Sequence, residues 1–291
     1  MEIKQDGARQ EKLRNVLLLL VRLGLWGDRE EHNTRLNLTE EDWNDVFRLA
    51  MQHTVTGLAF QGVSHLPDSQ IPPQSLLVRW MAETDAVERR NRKMNGVLGQ
   101  LYNIFHEKGL NPILQKGQGV ANYYESPLLR VCGDIDLYFN NKKAWDDALD
   151  FLRKNNITFT KQADEGISYR WQGVDIEHHS RLFDLYNPFL QGFVGKLEGQ
   201  KGYRHTALST YPSVIVTTPS PFLDILLQSL HILKHSVSRG IGLRQMCDMA
   251  RSCYKLHGEI DSEEMKAVCK KIGLHRWCPL LHTFLIDYLG L

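Results

Sequence analysis

The run Gly133-Asp134-Ile135-Asp136-Leu137-Tyr138-Phe139 constrains this chain more than any other stretch. Side chains alternate across a strand, so Ile135, Leu137 and Phe139 point one way and Asp134, Asp136 and Tyr138 the other. The apolar set demands a core against one face of a sheet. The two aspartates stand about 7 Å apart along the backbone and face whatever lies above the other side. Like charges that close repel each other unless a cation sits between them. Hard oxygen ligands with an open side suit Mg²⁺ or Mn²⁺.

The flanking residues sharpen that reading. Upstream, Asn111-Pro112-Ile113-Leu114-Gln115-Lys116-Gly117-Gln118-Gly119 reads as a short strand, a glycine turn and the start of a helix. Downstream, Val174-Asp175-Ile176-Glu177-His178-His179 reads as another strand with acids at alternate positions. This order of strand, glycine turn, helix, Asp-x-Asp strand and later acidic strand resembles the nucleotidyltransferase superfamily of DNA polymerase beta type. More narrowly, Lys116-Gly117, Arg130 with Gly133-Asp134-Ile135-Asp136-Leu137, and Glu177-His178-His179 resemble the uncharacterised nucleotidyltransferase family. The run Gly240-Ile241-Gly242-Leu243-Arg244-Gln245-Met246-Cys247-Asp248 is similar to its members from gut Bacteroidetes. The resemblance implies an α/β (α+β) fold, with a small mixed sheet of polymerase-beta-like nucleotidyltransferase type flanked by N-terminal and C-terminal helical segments.

Size and composition predict a soluble protein. A chain of 291 residues buries a proper core as one large or two modest domains. Its 35 basic and 34 acidic residues leave a net charge of +1, so no global field draws it to nucleic acid. The cluster Arg89, Arg90, Arg92 and Lys93 reads as a solvated helix face. Five cysteines without paired CxxC spacing argue against a disulfide framework and a zinc ribbon. A reducing, cytoplasmic setting fits them, and the polar Met1–Lys12 stretch has no signal-peptide pattern.

Periodicity predicts helices over 8–23, with Gly24 as the stop, and over 40–53, with Thr39 as N-cap. Further helices are expected over 57–63 and 74–108, the latter closed by Gly109. Strands are expected at 157–161, 167–171 and 174–179 around a helix at 145–154 and a turn at Gln172-Gly173. Apolar helices follow from Pro221 to about Val237 and over 242–256, 262–272 and 276–289. The implied division is an N-terminal helical segment over 1–109, a nucleotidyltransferase core over 110–215 and a C-terminal helical segment over 216–291. The cleft is expected between the core and the C-terminal helices.

The resemblance also assigns roles. Asp134, Asp136 and Glu177 become the catalytic, metal-binding carboxylates. Glu177 is preferred to Asp175, which shares its strand face, because the family acid stands two residues before a histidine, here His179. Lys116, Gly117, Gln118, Arg130 and Gly133 become nucleotide-binding positions. Gln118 stands where the superfamily has Gly or Ser. Arg130 either binds phosphate or pairs with an acid to fix its loop. His178 is expected in the core, and His179 in a hydrogen-bonding or substrate-contact role. His231 and His235, one helical turn apart, read as structural or substrate-contact residues rather than a zinc site. Arg244 and Asp248, at the same spacing, read as a helix-face ion pair, with a polar contact from this helix to the nucleotide as the runner-up. The implied reaction is a Mg²⁺- or Mn²⁺-dependent transfer of a nucleoside monophosphate from an NTP to an acceptor hydroxyl, with release of pyrophosphate. The acceptor is a small molecule, an RNA 3′ end or a protein side chain. The alternative is a catalytically weak nucleotide-binding regulator or partner-binding module. Relief of carboxylate repulsion predicts that Asp136→Asn leaves the metal-free protein as stable as the parent or more so.

Overall fold

A computed structural model describes residues 2–27, 35–162, 165–183, 185, 187–238 and 240–291. The Asp-x-Asp segment forms β2 (Ile135–Tyr138), which sits near the middle of a seven-stranded mixed sheet. On one side β2 pairs antiparallel with β1 (Ile113–Gln115). On the other it pairs parallel with β5 (Val174–His179), so that Asp136 lies opposite Glu177 and Tyr138 opposite His179. β3 (Phe159–Lys161) and β4 (Ile167–Trp171) extend the sheet beyond β5. The β4–β5 hairpin closes at Gln172-Gly173, whose positive φ values of 51° and 75° match the strand twist of a two-residue turn.

Residues 191–219 carry no expected element, yet they form a helix and a hairpin. The helix is α7 (Gln191–Lys201); the hairpin joins β6 (Tyr203–Leu208) to β7 (Tyr211–Pro219), and β7 pairs parallel with β1. Because β7 runs across 215/216, we place the end of the sheet-bearing core after Pro219.

Among the described residues the helices number eleven. They are α1 (Glu2–Trp26), α2 (Glu40–Gln52), α3 (Thr56–Val63), α4 (Gln74–Glu107), α5 (Gly117–Ala121), α6 (Lys142–Lys154), α7, α8 (Pro221–Ser238), α9 (Leu243–Leu256), α10 (Ser262–Lys271) and α11 (Trp277–Leu289). None is long and apolar enough to cross a membrane. Thr39 caps α2 in a reciprocal box with Asp42. α1, however, does not stop at Gly24. That glycine lets α1 cross α3 closely, since a Cβ there would stand 2.1 Å from the carbonyl oxygen of Leu58. Gly62 does the same from the α3 side, against the carbonyl oxygen of Leu20.

The two faces of β2 divide as its alternation requires. Ile135, Leu137 and Phe139 join Met94, Leu98, Leu101 and Phe105 of α4 and Phe151 and Leu152 of α6. Tyr138 joins Leu223, Leu226 and Leu227 of α8 on the opposite face. Asp136 shares the α8 face with Tyr138, which brings the C-terminal helices over the carboxylates. A third apolar cluster unites α1, α2, α3 and the start of α4 with α9 and α11. Trp26 Nε1 donates to the carbonyl of Leu289 at 2.5 Å, so the two helical segments close on each other.

Candidate active site

β2 and β5 run parallel and in register, so alternate side chains of both strands rise from the same face at the same level. Ligand atoms of Asp136, Glu177 and His179 thereby come within 4.8 Å of one another. His179 Nε2 lies 2.8 Å from Asp136 Oδ1 and 3.8 Å from a Glu177 oxygen. Gln162 Nε2 donates to the other Glu177 oxygen at 2.7 Å and fixes that carboxylate. Lys116 Nζ, at the end of β1, stands 3.8 Å from Asp136. Asp136 is 5% exposed. Burial alone would lift its pKa, but Lys116 and His179 hold the carboxyl well below the usual range.

Asp134 behaves differently. It lies just before β2 and is not one of the three residues whose ligand atoms converge. Burial, then the charges of Asp136 and Glu177, push its carboxyl up to about 6, against the pull of Lys116 and Arg244. Asp175 shares the strand face of Glu177, as alternation dictates, but pairs with Arg170 of β4 at 3.4 Å and is largely exposed.

The turn preceding α5 has an unusual backbone. Lys116 and Gly117 both have positive φ, 48° and 42°, and a Cβ on Gly117 would stand 3.4 Å from the carbonyl oxygen of Asp134. Glycine therefore lets the turn lie against the first aspartate. Gln118 directs its amide at Met94 Sδ of α4, 3.6 Å away, and is buried.

Arg130 pairs with an acid. Its guanidinium forks onto Asp248 of α9, with Nε and Nη2 at 2.8 and 2.7 Å, and Tyr124 donates to the same carboxylate at 2.7 Å. All three residues are buried. With Asp248 taken, Arg244 is not its helix-face partner and donates instead to the carbonyl of Val131 at 3.0 Å, on the approach to Asp134. Arg90 of α4, expected only on a solvated face, donates to the carbonyl of Gly133 at 2.9 Å. Sequence reasoning weighed a nucleotide contact from the helix of Arg244 but placed neither arginine beside the Asp134 loop, because their reach spans elements far apart in the chain.

His178 points to the other face, as its register requires. It is fully buried, touches the hydroxyl of Tyr169 at 2.9 Å and has its pKa pushed down to about 3 by burial. His231 of α8 faces the site, and burial followed by the charges of Lys116 and His235 keeps its ring neutral. A small, open pocket of about 70 Å³ lies beside His179 and Lys116, beneath Leu227, Leu230, His231 and Lys234 of α8.

Residues 39–286 match the family described as Uncharacterised nucleotidyltransferase. The chain belongs to that family. The uncharacterised nucleotidyltransferase match leaves out α1 but takes in α2 to α10, most of α11 and the whole sheet, so α8 over the site belongs to the family unit. Among solved structures, an antigenic nucleotidyltransferase-like protein from Paracoccidioides brasiliensis is similar, with 15% identity and a TM-score of 0.41 over 65% of this chain and 89% of that one. No curated protein matches.

The donor set fits a divalent cation. Two carboxylates and one imidazole converge on a partly buried point, and the mixture of oxygen and nitrogen suits Mn²⁺ at least as well as Mg²⁺. Asp134 lies outside this trio, though the charges of Asp136 and Glu177 act on it.

Proposed function

We propose that this protein is a metal-dependent nucleotidyltransferase that moves a nucleoside monophosphate from an NTP to an acceptor hydroxyl. The observation that carries the reading is the convergence of Asp136, Glu177 and His179 across two parallel strands, with Asp134 and Lys116 at its edge. In the reaction the acceptor oxygen bonds to the α-phosphorus as the bond to the bridging oxygen of pyrophosphate breaks. Pyrophosphate leaves with the electron pair, and water takes the acceptor's proton.

Asp136, Glu177 and His179 hold the cation, with Asp134 as the further carboxylate. A bound divalent ion supplies charge neutralisation and lowers the pKa of the attacking hydroxyl. Gln162 keeps Glu177 turned inward. Lys116 gives up part of its hold on Asp136 and pairs with the phosphates, while Gly117 and Gly133 allow backbone approach. Arg130 positions the loop before Asp134 through Asp248 and makes no phosphate contact.

A second reading, a nucleotide-binding module with little turnover, draws support from the pairing of Asp136 with Lys116 and His179, which satisfies the acid without any cation.

Titration calorimetry of the four NTPs with Mg²⁺ or Mn²⁺ tests the proposal, on the parent and on Glu177→Gln. We expect metal-dependent binding by the parent, at least about tenfold weaker in the variant, as for loss of one charged ligand worth about 1.4 kcal/mol or more. Asp175→Asn should bind as the parent does, and the opposite ranking would move the carboxylate role to Asp175. Binding without pyrophosphate release across a broad acceptor screen would favour the second reading.

A further inference from the structure

The pocket under α8 has a character of its own. Gln115 is 2% exposed, and its Nε2 lies buried with no hydrogen-bond partner among the described residues. It lines the pocket, as does Ser180, whose Oγ is likewise buried and unpartnered. An amide N–H left without an acceptor is costly, so this one is open to a ligand or water that supplies the acceptor. Lys116, Arg181 and Lys234 line the same pocket, and among the described residues no carboxylate does. Leu182, Phe183, Leu227 and Leu230 complete the wall with apolar surface. Cationic and N–H donors above an apolar wall describe a receptor for a small organic anion.

Its position says which reactant this is. The pocket touches His179 and Lys116, both of which pair with Asp136, whereas Arg90, Arg244 and Gly133 gather about Asp134. Two approaches thus meet at the metal-binding trio, one lined by the Asp134 loop and one by α8. We propose that the α8 pocket is the acceptor site, and that the acceptor is a small alcohol carrying an anionic group, a phosphate monoester or a carboxylate. This rests on the nucleotidyltransferase reading. Gln115 and Lys234 grip the anion, Ser180 orients it, and the hydroxyl extends past His179 to the α-phosphorus.

The experiment is calorimetry of the full chain with glycerol 3-phosphate, glycerate and neutral glycerol, each with and without saturating Mg²⁺ and a non-hydrolysable NTP analogue. We expect one or both anions to bind beside the nucleotide analogue while glycerol does not, and their ranking separates phosphate from carboxylate. Gln115→Leu should weaken the anion about tenfold, as for a lost hydrogen bond to a charged group, and leave the nucleotide affinity unchanged. Lys234→Met, at the helix surface, should do the same and guards against a folding defect at the buried site. Displacement of the anion by the nucleotide analogue, or loss of nucleotide affinity in either variant, would make the pocket a polyphosphate site and overturn the assignment. Nucleotide binding without anion binding would also overturn it. Anion binding by a parent that binds no nucleotide would instead defeat the transferase reading, and the acceptor assignment with it.

Discussion

Asp134 and Asp136 are two residues apart and titrate in opposite directions, because their neighbours differ. Asp136 has Lys116 and His179 within ion-pair reach, while Asp134 meets burial and the negative charge of Asp136 and Glu177. Carboxylate repulsion therefore falls on Asp134, and the stability expectation drawn for Asp136→Asn belongs to Asp134→Asn. A carboxyl raised from 3.8 to about 6 keeps its proton in the folded chain after the unfolded chain has lost it. Stability then falls as pH rises through that interval, and the full penalty stands above it. Asp134→Asn should gain about 1–3 kcal/mol at pH 8 in chelator and nothing near pH 3.5, read by urea melts. An equal gain at both pH values would refute the repulsion account. Asp136→Asn should instead lose about 2–4 kcal/mol in the same buffer, since it leaves a partly buried Lys116 without its carboxylate. His178 supplies a second pH signature. Its folded pKa is depressed to about 3, so the unfolded chain binds the extra proton and stability falls as pH drops from 6.5 towards that value. In the parent this residue adds about 1.4 kcal/mol per pH unit within that window. His178→Phe should flatten the profile by that slope, and an unchanged slope would place the titration elsewhere.

At the level of elements, the close crossing of α1 and α3 shows how a glycine read as punctuation can serve as contact. Gly24 and Gly62 each face a carbonyl oxygen of the other helix, with no room for a methyl group. Gly62→Ala should cost about 2–4 kcal/mol through overpacking against rigid backbone. Gly96, in the middle of α4, has nothing within 4 Å of the place a methyl group would take, and should gain about 0.5–1 kcal/mol on substitution by Ala. Thermal melts of the two variants side by side check both, and equal shifts would contradict the crossing geometry. Caps and turn residues that act within a few positions, such as Thr39, Gly109 and Gln172-Gly173, were legible from sequence. The β6–β7 hairpin was not, because β7 gains its place from parallel pairing with β1, about a hundred residues upstream.

Across the whole molecule, α4 spans both cores. Leu76 and Trp80 lie among the packed N- and C-terminal helices, while Met94 to Phe105 cover the sheet. The Arg130–Asp248 pair bolts α9 to the loop leading into Asp134, and Arg251 of α9 donates to the carbonyls of Leu25 and Tyr123. Breaking the pair by Asp248→Asn should cost about 3–5 kcal/mol, because Arg130 is left buried and charged. The double variant Arg130→Met/Asp248→Leu should recover most of that in a chemical melt. If the double variant were no better than the single, the pair would contribute through its shape rather than its charge.

Sequence by itself determined what depends on near neighbours along the chain. The alternation of residues 133–139 fixed which side chains enter the core, and the ordered motifs fixed the family. The same alternation put His178 inside and Glu177 with His179 outside. Only the tertiary structure decided which groups meet there. Parallel register between β2 and β5 made His179 a partner of Asp136, and the docking of α9 brought Asp248 to Arg130. The placement of α8 brought Lys234 to the pocket lined by Gln115, whose Nε2 has no partner among the described residues. Those contacts join residues scores of positions apart, and their pairing is selected by sheet register and helix docking, which no local spacing encodes.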